Sequence, residues 1–85
     1  MISARYTPTF VRMYLGLDQN LKEEIRESIE LFRIRDNHTK LKVHKLKGIE
    51  NAYSFSVNYK IRIIFEYENK QTVNLIYIGF HDEVY

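Results

Sequence analysis

The sequence predicts an α+β domain in the order β-α-α-β-β-β, a mostly antiparallel twisted sheet with two helices packed on one face. Three observations carry this prediction. The last third of the chain, Tyr53 to Tyr85, reads as three successive strands. Leu21, Ile25, Ile29 and Phe32 recur at four, four and three residues, which makes a single helical stripe. No repeat, linker or low-complexity segment divides the 85 residues, so residues 1–85 are expected to be one domain.

The elements follow in order. Ile2, Ala4 and Tyr6 alternate weakly and predict a short first strand. Thr7-Pro8 is a helix start, because a threonine can cap and a proline at the first helical position loses no hydrogen bond. A helix from Pro8 to about Leu15 presents Phe10, Met13, Tyr14 and Leu17 on one side, and Gly16 ends it. The second helix starts at Asp18-Gln19-Asn20, with either Asp18 or an Asn20–Glu23 capping box at its head. Its other face (Lys22, Glu23, Glu24, Arg26, Glu27, Glu30, Arg33) is ordinary solvated surface. Arg26–Glu30 and Glu30–Arg33 have the spacing of helical ion pairs. Asp36-Asn37-His38 is expected to end this helix. Thr39 to Lys47 then reads as an extended connector, with Leu41, Val43 and Leu46 inward and Lys40, Lys42, His44, Lys45 and Lys47 outward.

Gly48 permits a turn. Tyr53, Phe55 and Val57 alternate with Ser54, Ser56 and Asn58, so the first set packs on the helices and the second faces away. Lys60 to Glu68 puts Ile61, Ile63, Phe65 and Tyr67 on one face and Arg62 on the other. Asn69-Lys70-Gln71 is a hairpin loop, and Thr72 to Ile78 is apolar enough for a central strand.

Composition narrows the function. A domain this small buries only about 60–65% of the surface its unfolded chain exposes, so its core is thin. Seven Tyr and five Phe supply large buried areas per residue. There is no cysteine, hence neither a disulfide nor a thiolate metal site, and a reducing cytoplasm is the expected home. No run approaches the about 18–20 apolar residues of a membrane span, and Met1-Ile2-Ser3-Ala4-Arg5 lacks signal-peptide order. The net charge is only +2, but from Arg33 to Lys47 six Lys or Arg face one acid, Asp36. A basic centre beside an acidic helix points to an anionic partner.

Several stretches together carry a family resemblance. Lys45-Leu46-Lys47-Gly48, Tyr53-Ser54-Phe55-Ser56-Val57, Tyr59-Lys60-Ile61-Arg62-Ile63-Ile64-Phe65 and Ile78-Gly79-Phe80-His81-Asp82-Glu83-Val84-Tyr85 resemble, in this order and spacing, the RelE/ParE superfamily of bacterial toxins. The element order agrees over the whole chain. The resemblance implies the toxin of a type II toxin–antitoxin system, with a small acidic antitoxin as partner. Its RelE-like branch is a metal-free endoribonuclease that cuts mRNA, usually on the ribosome, and needs no cofactor. Its ParE-like branch poisons DNA gyrase without chemistry. A degenerate member would only bind an antitoxin.

Metal-free RNA cleavage uses the substrate's 2′-hydroxyl as nucleophile. The protein orients it, moves its proton and stabilises charge on the phosphate. His81 matches the position of a catalytic histidine in several RelE-like toxins, and imidazole titrates near neutrality. Arg62 matches an active-site arginine, whose fork suits a pair of phosphate oxygens. Tyr85 matches a functional tyrosine near the chain end, where it would stack on a base or orient the hydroxyl. Asp82 or Glu83 would orient His81. Where some RelE members carry two lysines, this chain has Ser54 and Ser56, so that cationic role falls to Lys45, Lys47 or Lys60 or is absent. Lys40, Lys42, Lys45, Lys47 and Lys60 are the expected contacts to RNA backbone, giving salt-sensitive affinity without sequence choice.

Overall fold

A computed structural model describes residues 1–80 of the chain. The chain runs through β1 (Ser3–Tyr6), α1 (Pro8–Leu15), α2 (Gln19–Phe32), a 3₁₀ turn (Arg35–Asn37), β2 (His44–Lys45), β3 (Ala52–Ser56), β4 (Ile61–Asn69) and β5 (Thr72–Phe80). The five strands form one sheet in the order β1-β5-β4-β3-β2, with β1 parallel to β5 and every other pair antiparallel. The α+β class and the mostly antiparallel sheet are as expected. The strand count is not. The expected connector from Thr39 to Lys47 holds a short strand, β2, which pairs His44 with Ser54 and Lys45 with Tyr53.

The helices begin where side chains satisfy their first free N–H groups. Thr7 Oγ1 accepts from Phe10 N (3.2 Å) and donates to Leu75 O (2.9 Å), so one hydroxyl both caps α1 and ties it to β5. Asp18 caps α2, accepting from Leu21 N at 2.9 Å, and the alternative capping box at Asn20 is not used. The α2 helix stops at Phe32, earlier than Asp36, because residues of the following turn reach back to its last carbonyls. Asn37 Nδ2 donates to Leu31 O (2.8 Å) and His38 Nε2 to Phe32 O (2.7 Å). Arg33 pairs with Glu30 at 3.1 Å as expected, while Arg26 instead donates to the Tyr14 hydroxyl at 3.0 Å. Arg33 also locks α2 to the first strand: its Nε donates to Ile2 O (2.9 Å), and Ile2 N donates to Arg33 O (2.8 Å).

The core lies between the helices and one sheet face. Phe10, Ile25, Ile29 and Phe32 meet Phe55, Ile61, Ile63, Phe65, Val73, Leu75 and Ile78. Phe32 is fully buried and is the aromatic hub. Its ring stacks on Phe55 (4.3 Å between centroids) and on His38 (4.8 Å), and meets Phe65 edge-on (4.8 Å). β5 contributes Leu75 and Ile78 to the same face, although three residues separate them. The register explains this: Ile64 pairs with Tyr77 and Phe65 with Leu75, so Ile76 is an extra residue in a bulge. A bulge shifts the alternation by one, and so Ile78 points inward and Tyr77 outward.

Candidate functional site

The sheet's second face is built by the same alternation. Antiparallel register places Arg62 between Ser56 on β3 and Gly79 on β5, and places Ile64 between Ser54 and Tyr77. Residues directly opposite share a face, so Arg62, Ser54, Ser56, Tyr77 and Gly79 all lie away from the helices. Because Ser54 pairs with His44 on β2, His44 joins them. The short strand therefore brings an imidazole onto the face that carries the guanidinium. Two strand spacings across and two residues along put their Cα atoms about 12 Å apart. A nucleotide-sized ligand on this face spans that gap.

Arg62 is 6% exposed, and its Nη1 donates to Asn58 O at 2.9 Å. Its row neighbours are a serine and a glycine, so neither flanking strand projects bulk beside it. The Ser56 hydroxyl in that row is buried and has no hydrogen-bond partner among the described residues. Glu68, further along the same strand, pairs with Arg5 at 3.0 Å.

His44 is exposed and its Nδ1 lies 2.8 Å from Lys42 O. A carbonyl oxygen only accepts, so Nδ1 carries a hydrogen, and in the neutral ring the lone pair sits on Nε2. Backbone geometry sets this up. Lys42 adopts φ 57°, the left-handed region. That conformation turns the chain into β2 and aims the Lys42 carbonyl back at the imidazole. Leu41 O accepts from Ser56 N (2.8 Å), which holds the connector against the end of β3 at the Arg62 row. Lys40 and Lys42, both exposed, flank that contact.

The other lysines are distributed differently. Lys45 pairs with Tyr53, so its parity is that of the helix-side face, although it is exposed at the sheet edge. Lys47 is exposed in the turn before β3. Lys60 is exposed beside Tyr59, with its ammonium 5.6 Å from that ring's centroid. The structure thus brings Arg62, Lys40 and Lys42 to one end of the polar face, sets Lys60 at the neighbouring turn, and leaves Lys45 and Lys47 along the β2 edge. His81 and Tyr85, with Asp82 and Glu83, lie outside the described residues. His44 is the functional candidate the sequence reading passed over. The signal was the alternation of Lys42 and His44 against Leu41 and Val43.

No family model and no curated protein matches this sequence. The fold, however, is shared with solved toxins. It is similar to the YoeB–YefM complex from Staphylococcus aureus, with 15% identity over 95% of this chain and 98% of that one and a TM-score of 0.71. It is similar to the archaeal RelE–RelB complex from Pyrococcus horikoshii, with 13% identity over 93% of each chain and a TM-score of 0.70. The Escherichia coli DinJ–YafQ complex matches at 14% identity over 100% of this chain and 99% of that one, with a TM-score of 0.63. The described residues have the RelE-like toxin fold.

Proposed function

We propose that this chain is the toxin of a type II toxin–antitoxin pair and that it cleaves mRNA through the substrate's own 2′-hydroxyl. The observation that carries the reading is the common sheet face of Arg62 and His44, with lysines at its end. The 2′-oxygen attacks the adjacent phosphorus while His44 Nε2 takes its proton. Arg62 binds two phosphate oxygens through its fork as charge builds there. The bond to the 5′-oxygen breaks, leaving a 2′,3′-cyclic phosphate and a 5′-hydroxyl. His81 and Tyr85 keep the roles the sequence resemblance implies, proton transfer and orientation of the substrate, and with His44 as base the proton His81 moves goes to the leaving 5′-oxygen. Lys40, Lys42 and Lys60 hold the flanking backbone, with Lys45 and Lys47 further along the edge.

His44→Asn tests this assignment, because an asparagine amide still donates to the Lys42 carbonyl but transfers no proton. Cleavage should fall by about 100-fold or more, the usual contribution of a general base. Mapping RNA ends after induction, and detecting the cyclic phosphate on purified product, reads it out. Full activity in a folded His44→Asn variant would sink the role of His44. Intact transcripts with a DNA-damage response would replace the ribonuclease reading with a gyrase target.

Lys42→Gly separates backbone from charge. Glycine adopts the left-handed conformation without a Cβ clash, so thermal stability should hold or rise by up to about 1 kcal/mol. Loss of one phosphate contact should lower the salt slope of single-stranded RNA binding by about 0.7. A melt and a salt titration of affinity check the two halves separately.

The antitoxin partner is proposed from the similar folds, which are solved with RelB, YefM or DinJ bound. An acidic segment suits the lysine-rich end of the polar face. An apolar groove of about 490 Å³ between α1 and α2, lined by Tyr6, Val11, Tyr14 and Leu15 among others, offers a seat for its apolar side chains.

A further inference from the structure

We infer that Tyr59 and Lys60, in the turn between β3 and β4, form a stacking platform for a base of single-stranded RNA beside the phosphate that Arg62 holds. The inference rests on the ribonucleolytic reading and adds a binding subsite to it.

Tyr59 is 79% exposed. A single exposed ring is common on protein surfaces and means little alone. The turn that carries this one is unusually well tied. Val57 N donates to Ile61 O at 2.9 Å, closing the turn. Asn58 Oδ1 accepts from Lys60 N (2.8 Å) and Ile61 N (2.9 Å). Asn58 Nδ2 donates to Glu24 Oε1 on α2 at 2.6 Å, and Asn58 O receives the Arg62 guanidinium at 2.9 Å. Every polar group on the Asn58 side chain is engaged, so the next residue projects from a fixed base. That residue is Tyr59, one peptide unit (about 3.8 Å between Cα atoms) from the carbonyl that holds Arg62.

The chemistry selects the ligand class. An aromatic ring in water gains most from a flat, polarisable partner, and an unpaired nucleobase is one. A base inside a duplex is already stacked on its neighbours. The Lys60 ammonium, 5.6 Å from the ring centroid, supplies the positive charge that the phosphate next to a stacked base requires. Every base has a π face, so the platform favours the presence of a base over its identity.

The chain contains no tryptophan, so Tyr59→Trp introduces a single emitter at the platform. A short 2′-O-methyl RNA, which cannot be cleaved, should quench that emission at saturation. Tyr59→Ala in the full chain should weaken binding of the same oligonucleotide about tenfold, and Tyr59→Phe should stay within about twofold of the parent. An abasic oligonucleotide of equal charge should bind the parent about tenfold more weakly than the RNA, and the Tyr59→Ala variant should lose this discrimination. Parent-like affinity in Tyr59→Ala, or unchanged emission at saturation, overturns the platform. If binding still falls with Arg62→Ala in that case, the ribonuclease reading stands without it. A parent that binds no oligonucleotide overturns both. A Tyr59→Ala variant that loses only its grip on a protein partner assigns the ring to that interface and overturns the inference.

Discussion

Replacing Arg62 with alanine is expected to lower RNA cleavage by about 100- to 1000-fold while the fold stays intact. The size follows from where charge develops. In the attack by the 2′-hydroxyl, negative charge grows on the non-bridging phosphate oxygens. A donor already aimed there stabilises the transition state more than the bound substrate. Arg62 is pre-positioned by its carbonyl contact with Asn58 and by the small neighbours Ser56 and Gly79. Arg62→Lys should recover only part of the loss, since an ammonium keeps the charge but not the two-pronged geometry. Among its contacts, truncation removes the hydrogen bond to the Asn58 carbonyl at a turn, and that bond is worth about 1–3 kcal/mol. Circular dichroism and a thermal melt should therefore show a folded variant. Arg5→Ala is the matched control, because Arg5 lies on the exposed β1 edge in a surface pair with Glu68, where little stability or activity is at stake. Equal cleavage by Arg62→Ala and Arg5→Ala would remove Arg62 from the reaction.

How much of this was legible in the sequence depends on the range of the forces involved. Thr7-Pro8 announced the first helix start, and the second was narrowed to Asp18 or an Asn20–Glu23 box, because caps act over three residues. Tyr53, Phe55 and Val57 announced the core face of β3, and the parity of Arg62 put it on the other face, because alternation is local. The bulge at Ile76 was invisible: Leu75, Ile76, Tyr77 and Ile78 are all apolar or aromatic, and an unbroken run does not say where the alternation slips. β2 was hidden for a related reason. Two residues pair there, and pairing with β3 is a tertiary event that no short periodicity encodes. His44 was missed with it: alternation with Leu41 and Val43 turned it outward, but only pairing with Ser54 puts it on the sheet face of Arg62. Lys42 in the left-handed region was equally unreadable, because a lysine gives no hint of a positive φ.

The largest effect on stability is expected at Phe32. Phe32→Ala should destabilise the chain by about 3–5 kcal/mol, as truncation of a buried phenylalanine usually does. For 85 residues the whole folding free energy is only about 4–13 kcal/mol, so this one change removes a large share of it. The ring is buried on every side and contacts Phe55, Phe65 and His38, which leaves no neighbour able to collapse into the space without breaking another stack. Phe32→Leu should cost less, because a branched aliphatic refills much of the volume. The effect should also reach the polar face. The His38 ring rests on Phe32, and His38 O accepts from Val43 N at 3.0 Å, so the connector that carries Lys42 and His44 hangs from this stack. Denaturant unfolding gives the stability loss directly. Amide exchange at Val43 and Ser56, measured on Phe32→Leu under conditions where it remains folded, shows whether the connector loosens first. Exchange there that rises no more than in β4 would mean that the connector is held independently of the core.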